Sequence, residues 1–191
     1  MVKINQPAPG FELDAYDGKD FVKVNLDQYK GKWAVIFFYP ADFTFVCPTE
    51  LGELADNYPT FKDMNVEILV ASSDTHFCHK AWHDSSPMIG KIQFPMLADP
   101  TGKLLEDYGV MITDEAEDNG LARRGTFIID PDGIVKSMEY NDNSIGRSSA
   151  ELLRKLQAAQ YTREHGGEVC PMNWKPGEKT LKPGKDLVGK I

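Results

Sequence analysis

The sequence predicts an α/β domain with a mixed central sheet flanked by helices, a short N-terminal extension and a C-terminal arm. Three observations carry that expectation. The apolar runs at 33–39 and 66–71 have the length and residue types of buried strands, and each is followed by a helical pattern. Two later β-type runs flank Asp130-Pro131-Asp132-Gly133, a strong hairpin signal that adds an antiparallel pair. After Gly166-Gly167, the residues Pro171, Pro176, Gly177, Pro183, Gly184 and Gly189 punctuate a stretch with few apolar residues. Residues 166–191 therefore read as an arm that follows a domain of residues 1–165.

The elements follow in order. Phe11, Leu13 and Ala15 lie before Asp17-Gly18, and Phe21, Val22 and Val24 after it, with the partial alternation of a short hairpin. The first core strand comes after Lys30-Gly31-Lys32. Leu51, Leu54, Ala55 and Tyr58 mark one face of a helix, expected to end or kink near Pro59. The second core strand closes at Ser72-Ser73-Asp74. Spacing predicts a helix from Thr75 to Ser85 that buries Phe77, Cys78, Ala81 and Trp82. His76, His79 and His83 share its other side. Three histidines so spaced could hold a metal, but no carboxylate or thiol joins them, and a solvated polar face is the preferred reading. Cys78 reads as core or near-core packing. A short strand within 93–100, a short helix at 103–108 and a solvated acidic loop at 114–120 come next. The hairpin strands at 126–129 and 134–140 precede the longest helix, from Ser148 to His165, with Leu152, Leu153, Leu156 and Ala159 along one side.

A net charge of −8 argues against nucleic acid or an anionic membrane surface as the main partner. The apolar runs, about seven residues at most, are far short of a membrane span. The start lacks the pattern of a signal peptide, so a cytoplasmic protein is expected. Cys47, Cys78 and Cys170 are too few for a disulfide scaffold. No two form a C-x-x-C pair, which leaves neither a zinc ribbon nor a local dithiol. A redox partner for any of them comes from far along the chain or from another subunit.

Cys47 stands where a core strand gives way to a helix. Spare backbone N–H groups and the helix dipole favour a thiolate there, although a free cysteine is as readily a small buried hydrophobe. At about 100° per residue, Cys47, Leu51, Leu54 and Tyr58 fall within about 60° of one another, so Cys47 heads the buried stripe. Pro48 suits the first turn, where its missing N–H costs nothing. A thiolate in this place wants a cation beside it, and Arg123 or Arg124, at the entrance to a core strand, can supply one.

The run Pro40-Ala41-Asp42-Phe43-Thr44-Phe45-Val46-Cys47-Pro48-Thr49-Glu50 resembles the P-x-x-x-T-x-x-C motif of peroxiredoxins of the typical two-cysteine class. Arg124-Gly125-Thr126-Phe127, Ile145-Gly146-Arg147 and Gly166-Gly167-Glu168-Val169-Cys170-Pro171 agree with it, and the likeness spans essentially the whole chain. Ala41-Asp42-Phe43 and the ending Asp186-Leu187-Val188-Gly189-Lys190-Ile191 are most similar to the bacterial alkyl hydroperoxide reductase branch of that family. The resemblance implies a thioredoxin-like fold and a thiol peroxidase acting on hydrogen peroxide and organic hydroperoxides. It implies Cys47 as the peroxidatic cysteine, which becomes a sulfenic acid, and Thr44 as its hydrogen-bonding neighbour. Arg124 would stabilise thiolate and peroxide, Pro40 would shield the pocket, and Glu50 and Arg147 would hold the arginine network. Cys170 on the arm of a partner subunit would resolve the sulfenic acid as an intersubunit disulfide. A homodimer, a ring of five dimers, and an external reductant that is either an NADH-linked flavoprotein or a thioredoxin-like protein are implied as well, with no metal or organic cofactor. A ring-forming holdase that needs no thiol chemistry is the alternative function.

A cysteine in a buried stripe cannot meet one on a distant arm without movement, so the first helical turn and the arm have to loosen. The Gly-Gly-Leu-Gly loop and C-terminal Tyr-Phe helix of easily inactivated peroxiredoxins are absent. Residues 85–91 read Ser-Ser-Pro-Met-Ile-Gly-Lys, and the chain ends Gly-Lys-Ile. Mass spectrometry after a modest excess of peroxide is therefore expected to find little sulfinic acid at Cys47, and ready formation of that acid would contradict the expectation.

Overall fold

A strand buried on both faces needs apolar side chains at every position, and the run from Trp33 to Phe38 supplies them: each of its residues is buried. The protein, a computed structural model, is described over residues 2–114 and 117–191, so Glu115 and Ala116 of the expected acidic loop lie outside the described residues. The elements in chain order are β1 (Glu12–Tyr16), β2 (Phe21–Asn25), β3 (Trp33–Phe38), α1 (Cys47–Asp63), β4 (Val66–Ser72) and α2 (His76–Ser85). They continue with β5 (Met96–Ala98), α3 (Lys103–Asp107), β6 (Arg124–Ile129), β7 (Val135–Asn141) and α4 (Ser149–Glu164). Two compact units are present, one reaching to Arg147 and one from Ser148 to Ile191.

The first unit holds a mixed sheet of order β2-β1-β5-β4-β3-β6-β7. β4 pairs parallel with β3, from Trp33 opposite Val66 to Phe38 opposite Ala71, and β6 pairs antiparallel on β3's other side. The expected hairpins are both present, β1–β2 and β6–β7, the second with a register shift between Ile128 and Ile129. Gly18 turns the first at φ +89°, where a Cβ would also meet the Ile92 carbonyl oxygen at 2.6 Å. Alternation divides β3 between two layers. Ala34, Ile36 and Phe38 pack with Leu69, Leu97, Leu105, Tyr108 and Phe127 in one apolar cluster. Phe37 and the following Tyr39 face the other way, toward Arg147 and His79 respectively.

Two expectations need correction. α1 runs through Pro59 to Asp63 instead of ending near the proline. Phe61, fully buried beyond it, anchors the last turn, so tertiary packing overrides the lost N–H. α2 presents a different face from the one its spacing predicts. His79 (0% exposed) and Trp82 are its buried residues, whereas Phe77 is 64% exposed and Ala81 is exposed. The three histidines are not a shared solvated face. His79 is enclosed, His76 packs its ring 4.8 Å from that of Phe21, and His83 sits 5.2 Å from Tyr16 with Nε2 3.3 Å from the Ile92 carbonyl. Hydropathy misplaced the helix because it scores histidine as polar, and His79 is buried with every polar atom paired.

In the second unit Ser148 caps α4, its Oγ accepting from the Glu151 N–H at 3.3 Å, and Leu152 and Leu156 are buried. The segment beyond has more order than its composition promises. Trp174 is buried against Tyr161 at 4.9 Å and donates Nε1–H to the Glu178 carbonyl at 3.1 Å. Val169 and Leu181 bridge antiparallel, and Glu168 accepts from Tyr161 (2.8 Å) and from Thr180. Among the described residues no helix is long and apolar enough to cross a membrane.

Ile36 is fully buried at the centre of the sheet. Ile36→Ala is expected to lower the unfolding free energy by about 2–5 kcal/mol, read from urea denaturation.

Candidate active site

Cys47 is the first residue of α1, preceded by Val46, whose carbonyl accepts from the N–H groups of Thr49 (3.0 Å) and Glu50 (3.2 Å). Pro48 occupies the first turn as expected, and the Cys47 side chain is fully buried at the head of the stripe continued by Leu51, Leu54 and Phe61. The nearby cation is Arg124. It is 3% exposed, and it donates from Nη1 to Cys47 Sγ at 3.4 Å and to Glu50 Oε2 at 2.8 Å. Its Nε and Nη2 both donate to the Asn143 carbonyl, at 2.9 and 2.7 Å. Gly125 lets β6 pass close by, since a Cβ there would lie 2.5 Å from a Val110 methyl. Arg123, the other candidate, pairs instead with Asp114 at 2.8 Å.

Glu50, one helical turn after Cys47, is shared between two arginines. Arg147 donates Nη2 to its Oε2 (2.8 Å) and both Nε and the main-chain N to its Oε1 (2.9 and 2.8 Å). Arg147 is fixed in turn by the Gly125 carbonyl (2.9 Å) and Thr126 Oγ1 (3.1 Å), with its guanidinium 3.2 Å from the Phe37 ring centre. Burial alone would raise the Glu50 carboxyl. The hydrogen bonds and charge of Arg147, joined by Arg124, outweigh it and hold the group below the ordinary carboxylate range. Burial lowers the Arg147 guanidinium, and Glu50 opposes that.

Pro40 is buried just after β3. Thr44 is half-buried, and its hydroxyl donates to the Ala41 carbonyl at 2.8 Å, which leaves the oxygen's lone pairs free for another donor. Cys170 lies in the second unit, half-buried, its thiol 3.9 Å from the Ala158 carbonyl. Burial pushes that thiol up, with Arg154 opposing and Glu168 adding to the shift. All three cysteines are free. Cys78 is pushed up to about 12 by burial and by Asp42 and Asp74, so it stays protonated at neutral pH.

Sequence reasoning gathered Pro40, Thr44, Cys47, Glu50, Arg124 and Arg147 but gave no role to Asp42 or His79. Those two meet through a 2.8 Å contact between Oδ2 and Nδ1, both side chains fully enclosed. Asp42 lies inside the recognised motif, and that was the available signal. The carbonyls of Asn143 and Gly125 leave none, because every residue type carries one.

The fold and the site together define an α/β protein with a thioredoxin-like sheet and a buried cysteine–arginine centre. The AhpC/TSA family matches residues 4–138, and the chain belongs to that family. The C-terminal domain of 1-Cys peroxiredoxin matches residues 158–190. An alkyl hydroperoxide reductase C of Pseudomonas aeruginosa (strain UCBPP-PA14) is 49% identical over 191 residues, covering 100% of both chains. That of Salmonella typhimurium (strain LT2) is 50% identical, again over the full length of both. Among solved structures, Enterococcus faecalis AhpC superposes with a TM-score of 0.83 at 48% identity, covering 90% of this chain and 100% of that one. A reduced 2-Cys peroxiredoxin of Plasmodium vivax gives 0.89 at 37% identity, covering 96% and 94%.

A carboxyl whose native pKa is depressed stabilises the fold fully above its ordinary value of 4.5 and loses that contribution as pH falls through the lowered value. Urea midpoints measured from about pH 6 to about pH 3 should fall along this limb. Glu50→Gln should lower stability at neutral pH by about 3–5 kcal/mol and flatten the limb, because a buried guanidinium pair is left without its anion.

Proposed function

We propose that this chain reduces hydroperoxides through Cys47, with Arg124 and Thr44 acting on the peroxide and Cys170 of the partner subunit completing the cycle. The chain is a thiol-dependent peroxidase, in keeping with its likeness to alkyl hydroperoxide reductase C proteins and a 2-Cys peroxiredoxin over nearly all of its length. One observation carries the residue assignment. The buried Arg124 guanidinium donates Nη1 to the Cys47 sulfur at 3.4 Å while Glu50 holds the same nitrogen at 2.8 Å. A guanidinium N–H aimed at a sulfur is placed to stabilise negative charge that develops there during attack on a peroxide.

The chemistry follows from that placement. The Cys47 thiolate attacks the terminal peroxide oxygen; an S–O bond forms, the O–O bond breaks, and the leaving alkoxide takes a proton to depart as alcohol or water. Arg124 N–H groups stabilise the charge developing on the oxygens. Thr44, its own proton committed to Ala41, accepts from the peroxide O–H and so orients it. Glu50 and Arg147 keep Arg124 in place, and buried Pro40 keeps water from the thiolate. The sulfenic acid then condenses with the Cys170 thiol of the partner subunit, releasing water and forming the disulfide. An external disulfide reductase, a flavoprotein fed by NADH or a thioredoxin-like protein, returns two electrons and two protons. This reading includes a homodimer, closing into a ring of five dimers, with residues 166–191 as the arm that carries Cys170. No observation favours the holdase alternative.

Peroxide-dependent oxidation of the reductant should vanish in Cys47→Ser. Cys170→Ser should consume one equivalent of peroxide and form no disulfide-linked dimer on non-reducing gels. Arg124→Ala should lower the second-order constant for peroxide by about 10²–10³-fold. Retained turnover in Cys47→Ser would remove the basis of the assignment.

A further inference from the structure

The active-site loop between β3 and α1 is tied down by a buried polar cluster that the peroxide chemistry leaves unused. Asp42 is its centre. Its Oδ1 accepts from the Tyr39 hydroxyl at 2.7 Å, and its Oδ2 lies 2.8 Å from His79 Nδ1. Its main-chain N–H donates to Asp74 Oδ2 at 2.9 Å, and Asp74 in turn accepts from Ser72 Oγ at 2.8 Å. On the far side of the ring, His79 Nε2 lies 3.1 Å from the Leu97 carbonyl. A carbonyl only accepts, so Nε2 carries a hydrogen, and Nδ1 and the carboxylate share one further proton. The contact is wholly enclosed, where a hydrogen bond is electrostatically stronger than in water. Through it the loop is fastened to the ends of β3 and β4, to α2 and to β5.

The fastening holds something strained. Phe43, directly after Asp42, has φ +55°, a conformation that a bulky side chain rarely adopts, and its ring rests 5.9 Å from that of Trp82. Such a residue persists only where its surroundings over-determine it, and Asp42 is the tethered residue on its N-terminal side. Thr44 and Cys47 follow within one and four residues.

We infer that Asp42 and His79 are positioning residues that latch the Pro40–Cys47 loop closed and thereby set how fast the first turn of α1 releases an oxidised Cys47. The inference rests on the peroxidase reading above. While the latch holds, a sulfenic acid stays beside Arg124, where a second peroxide can add an oxygen and give the sulfinic acid. When it yields, the strain at Phe43 is relieved and the sulfur reaches Cys170 of the partner subunit. The latch therefore sets the partition between disulfide and over-oxidation.

Asp42→Asn is the informative variant because a neutral network can still form around it. Asn Oδ1 accepts from Tyr39, Nδ2 donates to His79 Nδ1, and His79 Nε2–H keeps Leu97. Reduced full-length protein is mixed with excess hydroperoxide, quenched with an alkylating agent, and its Cys47 species are quantified by mass spectrometry. The ratio of disulfide to sulfinic acid should rise about fivefold, the effect of weakening one buried hydrogen bond. Amide exchange at residues 42–47 of the reduced protein should rise with it. Tyr39→Phe, which removes one donor and leaves the pair intact, should shift the ratio about twofold in the same direction. An unchanged or lower ratio in both variants, with only the melting temperature reduced, would mean an ordinary structural contact and overturn the inference. If the parent protein forms no oxidised Cys47 at all, the peroxidase reading is what fails.

Discussion

One buried carboxylate governs the geometry of this site. Two guanidiniums, from Arg124 and Arg147, both lie against Glu50 Oε2 at 2.8 Å, and without that anion their mutual repulsion in a poorly solvated place would drive them apart. Glu50 is placed by the first turn of α1, which sets a residue and its third successor on one side of the helix. The same turn places Cys47, so a single helical start aligns the sulfur with the anion that organises its cations. Buried ionic groups rarely add net stability; what this one fixes is position, with Arg124 held 3.4 Å from the Cys47 sulfur and Arg147 held against the same carboxylate.

The sheet supplies the rest of the frame. Arg124 opens β6, which pairs with β3, and Arg147 follows the hairpin partner β7. Phe37 on β3 carries the Arg147 guanidinium on its ring, so the same strand that builds the core with Ile36 and Phe38 supports the site with its alternate face. The requirement for close approach shows at Gly125, where the neighbouring Val110 leaves no room for a side chain.

A closed site of this kind meets an opposing demand, since in the cycle proposed above a fully buried sulfur has to become accessible before it can be resolved. The structure answers with a loop that is both strained and fastened, Phe43 at a positive φ beside the Asp42–His79 contact. Cys78 shows the contrast with Cys47. It lies near the carboxylates of Asp42 and Asp74 rather than a guanidinium, and burial together with those carboxylates pushes its thiol up to about 12.

The chain alone determined the strands, both hairpins, the helix start at Cys47 and the ordered motifs that gathered Cys47, Thr44, Glu50, Arg124, Arg147 and Cys170. These are local signals: apolar runs, turn dipeptides and contiguous motif letters. It misjudged α1 at Pro59, where a distant packing contact through Phe61 outweighs a local backbone defect. It also misjudged the face of α2, because whether a histidine is solvated or buried depends on acceptors that lie far away in sequence, here Asp42 and the Leu97 carbonyl. The pairing of Arg123 with Asp114, the 2.8 Å distances at which one Glu50 oxygen meets both arginines, and the enclosed Asp42–His79 contact behind the cysteine loop were decided only by the tertiary structure. Each depends on distances between residues well separated along the chain, and hydrophobic period and spacing carry no information about those. The cysteine at the helix start was legible from the beginning, and folding decided which charges surround it.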